Sequence, residues 1–283
     1  MSLTGIAKET LQIIETGSYV GPSGLKVSLK AEIDNAVSGT LLYRPEDFSK
    51  LESRHTDAHR NVEQQERSLR IEVTHETTTA AARRLILAER QSDVVALNFA
   101  SAKCPGGGFL ADAKAQEEDL ARASALYACL LTQQDYYDAN CAHPSLLYTD
   151  HIIYSPQVPF FREDEQRLLD TPFPLSIITA PAPNAGQILC YEPSAEAQIL
   201  ETLERRAARV LFIAAAHNHK ILILGAWGCG IFRNRPADVA HVFAEHLLSS
   251  RFNQTFELVV FAVYDPSPSQ KTWQAFNDRF ASK

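Results

Sequence analysis

Two neighbouring carboxylates, Glu117 and Glu118, follow Gln116 in a Gln-Glu-Glu triplet that seven intervening residues separate from three consecutive glycines, Gly106, Gly107 and Gly108. Adjacent glycines let the backbone take positive φ and approach a ligand with no Cβ in the way. Paired carboxyl groups at the mouth of such a bed supply what cleavage of a glycosidic bond needs. One gives a proton to the leaving oxygen, and together they stabilise an oxocarbenium-like centre. The same residues also describe a flexible loop entering an acidic first helical turn, where the helix dipole favours Glu.

A second loop, Gly228-Cys229-Gly230-Ile231-Phe232, follows the apolar run 221–226 and precedes a helix opened by Pro236. Ligands of open α/β sheets gather at the carboxyl ends of strands, so two such loops could face one cleft. Neither G-x-x-x-x-G-K-[ST] nor G-x-G-x-x-G occurs, which removes the nucleotide-hydrolase and dinucleotide fingerprints. Consecutive backbone N–H groups can still hold a diphosphate through their dipoles, without a lysine. Asn98, at the end of the apolar run 94–100, could bond ribose hydroxyls or satisfy its own loop. Phe232 could stack on a base, an interaction worth about 1–3 kcal/mol, or fill a core after the turn.

Taken together, the triple glycine and the Gln-Glu-Glu triplet resemble the signature of poly(ADP-ribose) glycohydrolases. With Asn98-Phe99-Ala100 and the stretch 225–234, the chain is similar to their microbial, macrodomain-type branch over most of its length. The resemblance implies an α/β fold, a macrodomain-like three-layer α/β/α mixed sheet. It also implies hydrolysis of ribose–ribose bonds of poly(ADP-ribose) from polymer ends, with release of ADP-ribose and no cofactor, metal or covalent intermediate. Glu118 would be the principal acid and base, Glu117 would hold sugar hydroxyls, and Gln116 would support the loop. Asn98, Gly106, Gly107 and Gly108 would lie by the distal ribose. Gly228, Cys229, Gly230, Ile231 and Phe232 would hold the diphosphate, with Phe232 beside the adenosine half.

Two other activities fit the same pocket. A non-catalytic ADP-ribose reader would not need the Glu117–Glu118 pair, whereas a hydrolase of mono(ADP-ribosyl) proteins attacks the same anomeric carbon. The assignment also contains a tension, because a general acid must start protonated while a helix N-terminus favours the anion. Like charge, ligand phosphate and burial push the other way.

The elements that must position these residues come from an ordinary globular composition, 45% hydrophobic and 22% charged over 283 residues. The net charge of −7, with no dense basic run, argues against a DNA-coating protein, which needs many phosphate contacts. It suits a protein that grips one terminal unit of a polyanion in a shaped pocket. Five scattered cysteines with no C-x-x-C pair fit a reducing, cytoplasmic setting. His217 with His219, and His55 with His59, could each supply two metal ligands, but no third is evident. No signal peptide and no membrane span is readable, and a monomer without membrane association is expected.

Apolar spacing predicts helices over 6–14 (ended by Gly17), 80–89, 192–216, 236–247 and 271–280, and one buried stripe through Leu120, Ala123, Leu126, Tyr127 and Leu130. Strands are predicted over 25–33, 68–73, 94–100, 151–155, 176–180, 221–226 and 258–264, with 156–174 as an irregular, proline-containing interruption. Residues 47–67 read as a surface helix or connection. Tyr264 and Asp265, after the last strand, could wall off the adenosine side or pack at the sheet edge. Residues 1–66 are expected as an accessory segment packed on a catalytic domain, 67–283.

Overall fold

The computed structural model describes residues 2–60, 69–164, 166–252 and 254–281, with backbone only for 57–60. Chain order gives α1 (Leu3–Thr16), β1 (Ser18–Val20), β2 (Lys26–Ser28), α2 (Lys30–Ser38), β3 (Leu41–Tyr43), α3 (Phe48–Arg60), β4 (Arg70–Thr74), α4 (Thr78–Arg83), β5 (Val94–Phe99) and α5 (Gln116–Ala123). Then come α6 (Leu126–Leu131), α7 (Gln134–Ala142), β6 (Ile152–Arg162), β7 (Leu168–Ala180), α8 (Ala185–Tyr191), α9 (Gln198–Ala216), β8 (Ile221–Leu224), α10 (Pro236–Leu247), β9 (Leu258–Ala262) and α11 (Lys271–Phe280).

Seven strands form one mixed sheet in the order β3-β6-β7-β5-β8-β9-β4. β4, β5, β7, β8 and β9 run parallel, and β6 is antiparallel to β7 and β3. The central strands β5, β8 and β9 are apolar almost throughout because both of their faces are covered. Val95, Leu97, Leu222, Leu224, Val259 and Phe261 point to the side carrying α9 and α10. Their alternates Ala96, Ile223 and Val260 point to the side carrying α5, α6 and α7. This is the expected three-layer α/β/α fold. All five parallel strands present their carboxyl ends at one edge, where both glycine loops emerge.

Local signals hold at several termini. Gly17 closes α1 with φ +66°, Thr77 caps α4 by accepting a hydrogen bond from Ala80 N at 3.1 Å, and Pro236 opens α10. No described helix is long and apolar enough to cross a membrane.

Four segments differ from the sequence reading. The strand expected over 25–33 ends at Ser28, because Leu29, Ile33 and Ala36 recur with helical spacing and bury one face of α2. The interruption at 156–174 is a long hairpin of β6 and β7. Its prolines are accommodated by a register shift after Ser155 and by placing Pro159 opposite Pro174, so that two missing N–H groups fall at one pair. The apolar stripe 120–130 spans two helices. Ser124 breaks it with extended backbone, bridges to Phe160, donates to Leu120 O and accepts from Leu126 N. The helix expected from 192 begins at Gln198, after a short turn at Pro193–Ala195.

β3 joins the main sheet beside β6, so the amino-terminal segment shares hydrogen bonds with the strands that follow it. The domain boundary expected near residue 66 lies outside the described residues.

Candidate active site

The end of β5 anchors the site. Asn98 is fully buried, and its Nδ2 donates to Thr179 Oγ1 on β7 and to Glu117 Oε1, both at 3.2 Å. Gln116 lies along the same strand as an additional strand residue would. It accepts from Phe99 N at 2.8 Å and donates to Leu97 O at 2.8 Å and Thr78 Oγ1 at 3.0 Å. One amide therefore pins the start of α5 to β5 and to α4. This sets the next two side chains under the strand end.

Glu117 Oε2 accepts from Ser101 N at 2.6 Å, and Glu118 Oε1 accepts from Gly108 N at 2.9 Å. Both carboxyls are buried, Glu117 at 3% exposure and Glu118 at 9%. Burial pushes Glu117 up to about 8; the donors at Ser101 and Asn98 oppose this, and the neighbouring Glu118 adds to it. Gly107 has φ +59°, and its missing side chain leaves room for both carboxyls. Gly106 is also left-handed but is buried against Phe109, Ala121 and Tyr127, a small cluster closed from outside by Ala7 and Leu11 of α1.

The opposite wall is the loop after β8. Gly228 has φ +70°, and the volume a Cβ would need is filled by Ala182 and Asn234. Asn234 Nδ2 donates to Pro183 O at 2.9 Å and Gly228 O at 3.1 Å, and Asn234 N donates to Gly228 O at 3.0 Å, which closes the turn. Buried Trp227 fixes the loop's base through Nε1 to Ala180 O at 3.0 Å. Gly230 faces open space and Ile231 is 79% exposed. Burial pushes the Cys229 thiol up, which keeps it neutral.

A cleft of about 860 Å³ runs between the two loops and is lined by Gly107, Gly108, residues 116–119 and residues 228–232. The two sequence-distant loops thus share one cavity, while Asn98 and Gly106 stand behind its wall. Phe232 O accepts from Gly186 N at 2.9 Å, and the Phe232 ring lies 6.1 Å from Tyr148. These ties set Phe232 on the β5–β7 flank with the carboxylates. Thr77, Thr78, Thr79, Tyr264, Asp265 and Thr272 line the β9–β4 flank. Asp265 also caps α11 by accepting from Thr272 N at 2.9 Å.

Several lining residues escaped the sequence reading. Ser101 acts through its backbone N–H, which carries no residue signature. Glu163, Asp164 and Gln166 come from the turn of the β6–β7 hairpin, and Thr77 Oγ1 donates to Asp164 Oδ1 at 2.5 Å. His217 and His219 pair instead with tyrosines, Nε2 to Tyr43 Oη at 2.8 Å and to Tyr154 Oη at 2.9 Å. The His59 side chain lies outside the described residues.

The family model described as microbial-type PARG, catalytic domain, matches residues 7–163. Among solved structures, the poly(ADP-ribose) glycohydrolase from Thermomonospora curvata is 46% identical with a TM-score of 0.91, covering 98% of this chain and 99% of that one. The same enzyme bound to the inhibitor ADP-HPD superposes with a TM-score of 0.89 at 46% identity and the same coverage. The enzyme from Deinococcus radiodurans in complex with ADP-ribose is 49% identical with a TM-score of 0.82, covering 90% of this chain and 99% of that one. Among curated proteins none matches. A signature read from two loops, a cleft that joins them and a family match over more than half of the sequence agree: the chain belongs to the microbial-type poly(ADP-ribose) glycohydrolases.

Proposed function

We propose that the chain hydrolyses the ribose–ribose O-glycosidic bond of poly(ADP-ribose) and releases ADP-ribose. The observation that carries this reading is the single cleft in which a buried pair of carboxyls, Glu117 and Glu118, faces the backbone loop 228–232. The neighbouring structures in complex with ADP-ribose and with ADP-HPD support a nucleotide-sugar occupant.

The distal ribose occupies the β5–β7 flank, against Gly107, Gly108 and Phe232, and the adenosine the β9–β4 flank; the ties of Phe232 to Gly186 and Tyr148 thus favour the ribose half for this ring over the adenosine half that the resemblance implied. The diphosphate crosses between them on the N–H groups of Gly228, Gly230 and Ile231, while Cys229 N donates to Ala226 O at 3.1 Å and holds the turn. Glu118 protonates the oxygen that leaves the anomeric carbon and later takes a proton from the attacking water. Gly108 N holds its Oε1 and so fixes the carboxyl's direction. Glu117, braced by Asn98 and Ser101, holds the sugar hydroxyls. The proton that burial keeps on Glu117 lets this carboxyl donate as well as accept hydrogen bonds at the sugar hydroxyls. Gln116 keeps α5 seated on β5 while the sugar is engaged.

Attack from polymer ends is the form of cleavage expected of the family's microbial branch. Incubation with automodified polymerase and, separately, with a singly ADP-ribosylated protein tests the reading. Free ADP-ribose released from polymer, with the singly modified protein left intact, is the expected outcome. An inert polymer would overturn it.

A further inference from the structure

A second cavity, of about 550 Å³, opens at the same edge of the sheet, beyond the Phe232 flank of the first. Tyr148 stands between the two: it lines the second cavity, and its ring centroid is 6.1 Å from that of Phe232. Its backbone is left-handed, φ 59°, a conformation that a bulky residue adopts only when its surroundings impose it. The imposition is visible, since buried Arg206 donates Nη2 to Leu147 O at 3.0 Å and to Tyr148 O at 3.3 Å.

The second cavity's chemistry differs from that of a phosphate site. Leu147 and Ala195, which cluster with buried Ile188, give it an apolar patch within a mostly polar lining. Tyr191 lines one side and is 78% exposed, a large aromatic surface that the fold leaves uncovered. The charged lining groups are Glu192, which accepts from Ser145 Oγ at 2.5 Å and Leu146 N at 3.0 Å, and Arg205, which pairs with Asp150 at 2.7 Å and with the third, Glu201, at 3.7 Å. An apolar patch, an open aromatic ring, acidic groups and a cation already paired with Asp150 suit a neutral nucleoside better than a diphosphate.

We infer that this cavity is a subsite for the adenosine of the polymer unit on the leaving side of the bond, with Tyr191 as its stacking surface. The inference rests on the proposed function, and it follows from where that reading places the distal ribose. The leaving oxygen is the 2′-oxygen of the next adenosine, so only one ribose separates the scissile bond from that unit's base. Glu118 and Phe232 put the bond on the flank nearest Tyr148. The Tyr148–Phe232 ring pair, with centroids 6.1 Å apart, is the partition that the leaving nucleoside would cross to reach the second cavity.

Tyr191→Ala and Tyr191→Phe are tested with an oligomer of two linked ADP-ribose units and with ADP-ribose itself. Loss of base stacking in Tyr191→Ala should raise KM for the oligomer at least about fivefold, and Tyr191→Phe should restore it. ADP-ribose, which has no following unit, should bind both variants with Kd within about twofold of the parent, in keeping with the effect of an exposed substitution. An unchanged oligomer KM in Tyr191→Ala overturns the subsite, and so does a parallel loss of ADP-ribose affinity. If the parent chain itself leaves the oligomer intact, the proposed function fails and the subsite with it, a result distinct from a variant-specific null.

Discussion

A Cβ placed on Gly107 would stand 2.4 Å from Oε1 of Glu118, closer than any real contact of that kind. The glycine and the proposed acid therefore occupy adjoining volumes. Gly107→Ala must move the carboxylate or the loop, and at φ +59° it also strains the backbone by about 1–2 kcal/mol. A displacement of this size at the reacting group should lower kcat by about a hundredfold. Gly230→Ala meets nothing within 4 Å and should leave stability within about 0.5 kcal/mol of the parent. Steady-state kinetics for the first variant and denaturation for both check the contrast. Near-normal turnover by Gly107→Ala would show that the carboxylate has another place to go.

Glu118→Gln keeps the shape of the side chain and can still accept from Gly108 N, but it can neither give nor take the proton. Turnover should fall by about 10²–10⁴-fold. ADP-ribose affinity should stay within a few-fold, because loop 228–232 and Glu117 are untouched. Calorimetric Kd alongside polymer cleavage separates the two effects. Polymer cleavage at a near-parental rate would exclude the assigned role.

Both loops were legible because their information is local: three glycines and a Gln-Glu-Glu triplet in the first, two glycines and an aromatic in the second, and an apolar run before each. What was missed depends on partners distant in sequence. The stripe 120–130 has an unbroken helical period, and only the bridge from Ser124 to Phe160 on β6 splits it. Residues 156–174 contain four prolines and read as a loop, yet a bulge and a facing proline pair keep them in a sheet. Around Leu29 the pattern satisfied two periods at once, and burial of Ile33 and Ala36 selected the helix. The flank on which Phe232 lies follows from strand order and from its tie to Gly186, neither of which a linear sequence displays.

The raised titration of Glu117 fixes the sign of a pH dependence. Below about pH 4.5 the carboxyl is protonated in both folded and unfolded chains. Between there and about 8 the folded chain keeps a proton that the unfolded chain has lost, so stability falls as pH rises through this window. At 1.36 kcal/mol per unit the loss amounts to roughly several kcal/mol. Glu117→Gln is neutral throughout and should show a shallower decline. The groups that titrate in both proteins cancel in the difference, and any cost of placing the Gln amide beside Asn98 Nδ2 is independent of pH. Urea denaturation of parent and variant at pH 5 and pH 8 measures it. Parallel declines would mean that Glu117 ionises normally in the folded chain.

Arg122 lies one helical turn beyond Glu118 on α5, with its guanidinium fully buried. Nη2 donates to Ala113 O, Nη1 lies 3.4 Å from Asp119, and Nε has no partner among the described residues. The tie to Ala113 matters because the Ala113 side chain stands where a Cβ on Gly108 would be, 2.7 Å away, and Gly108 N holds Glu118. Arg122 thus presses the segment between the glycines and the carboxylates onto the backbone that orients the proposed acid. Arg122→Met retains much of the buried stem but leaves the Ala113 carbonyl unsatisfied, at a cost of about 1–3 kcal/mol. With Gly108 less firmly held, kcat should drop about tenfold or more, since small misplacements of a proton donor are costly. The Kd for ADP-ribose should move far less, because the diphosphate loop is on the opposite wall. A loss of kcat without a matching loss of affinity would distinguish positioning from general destabilisation, and equal losses in both would assign Arg122 to the stability of the fold alone.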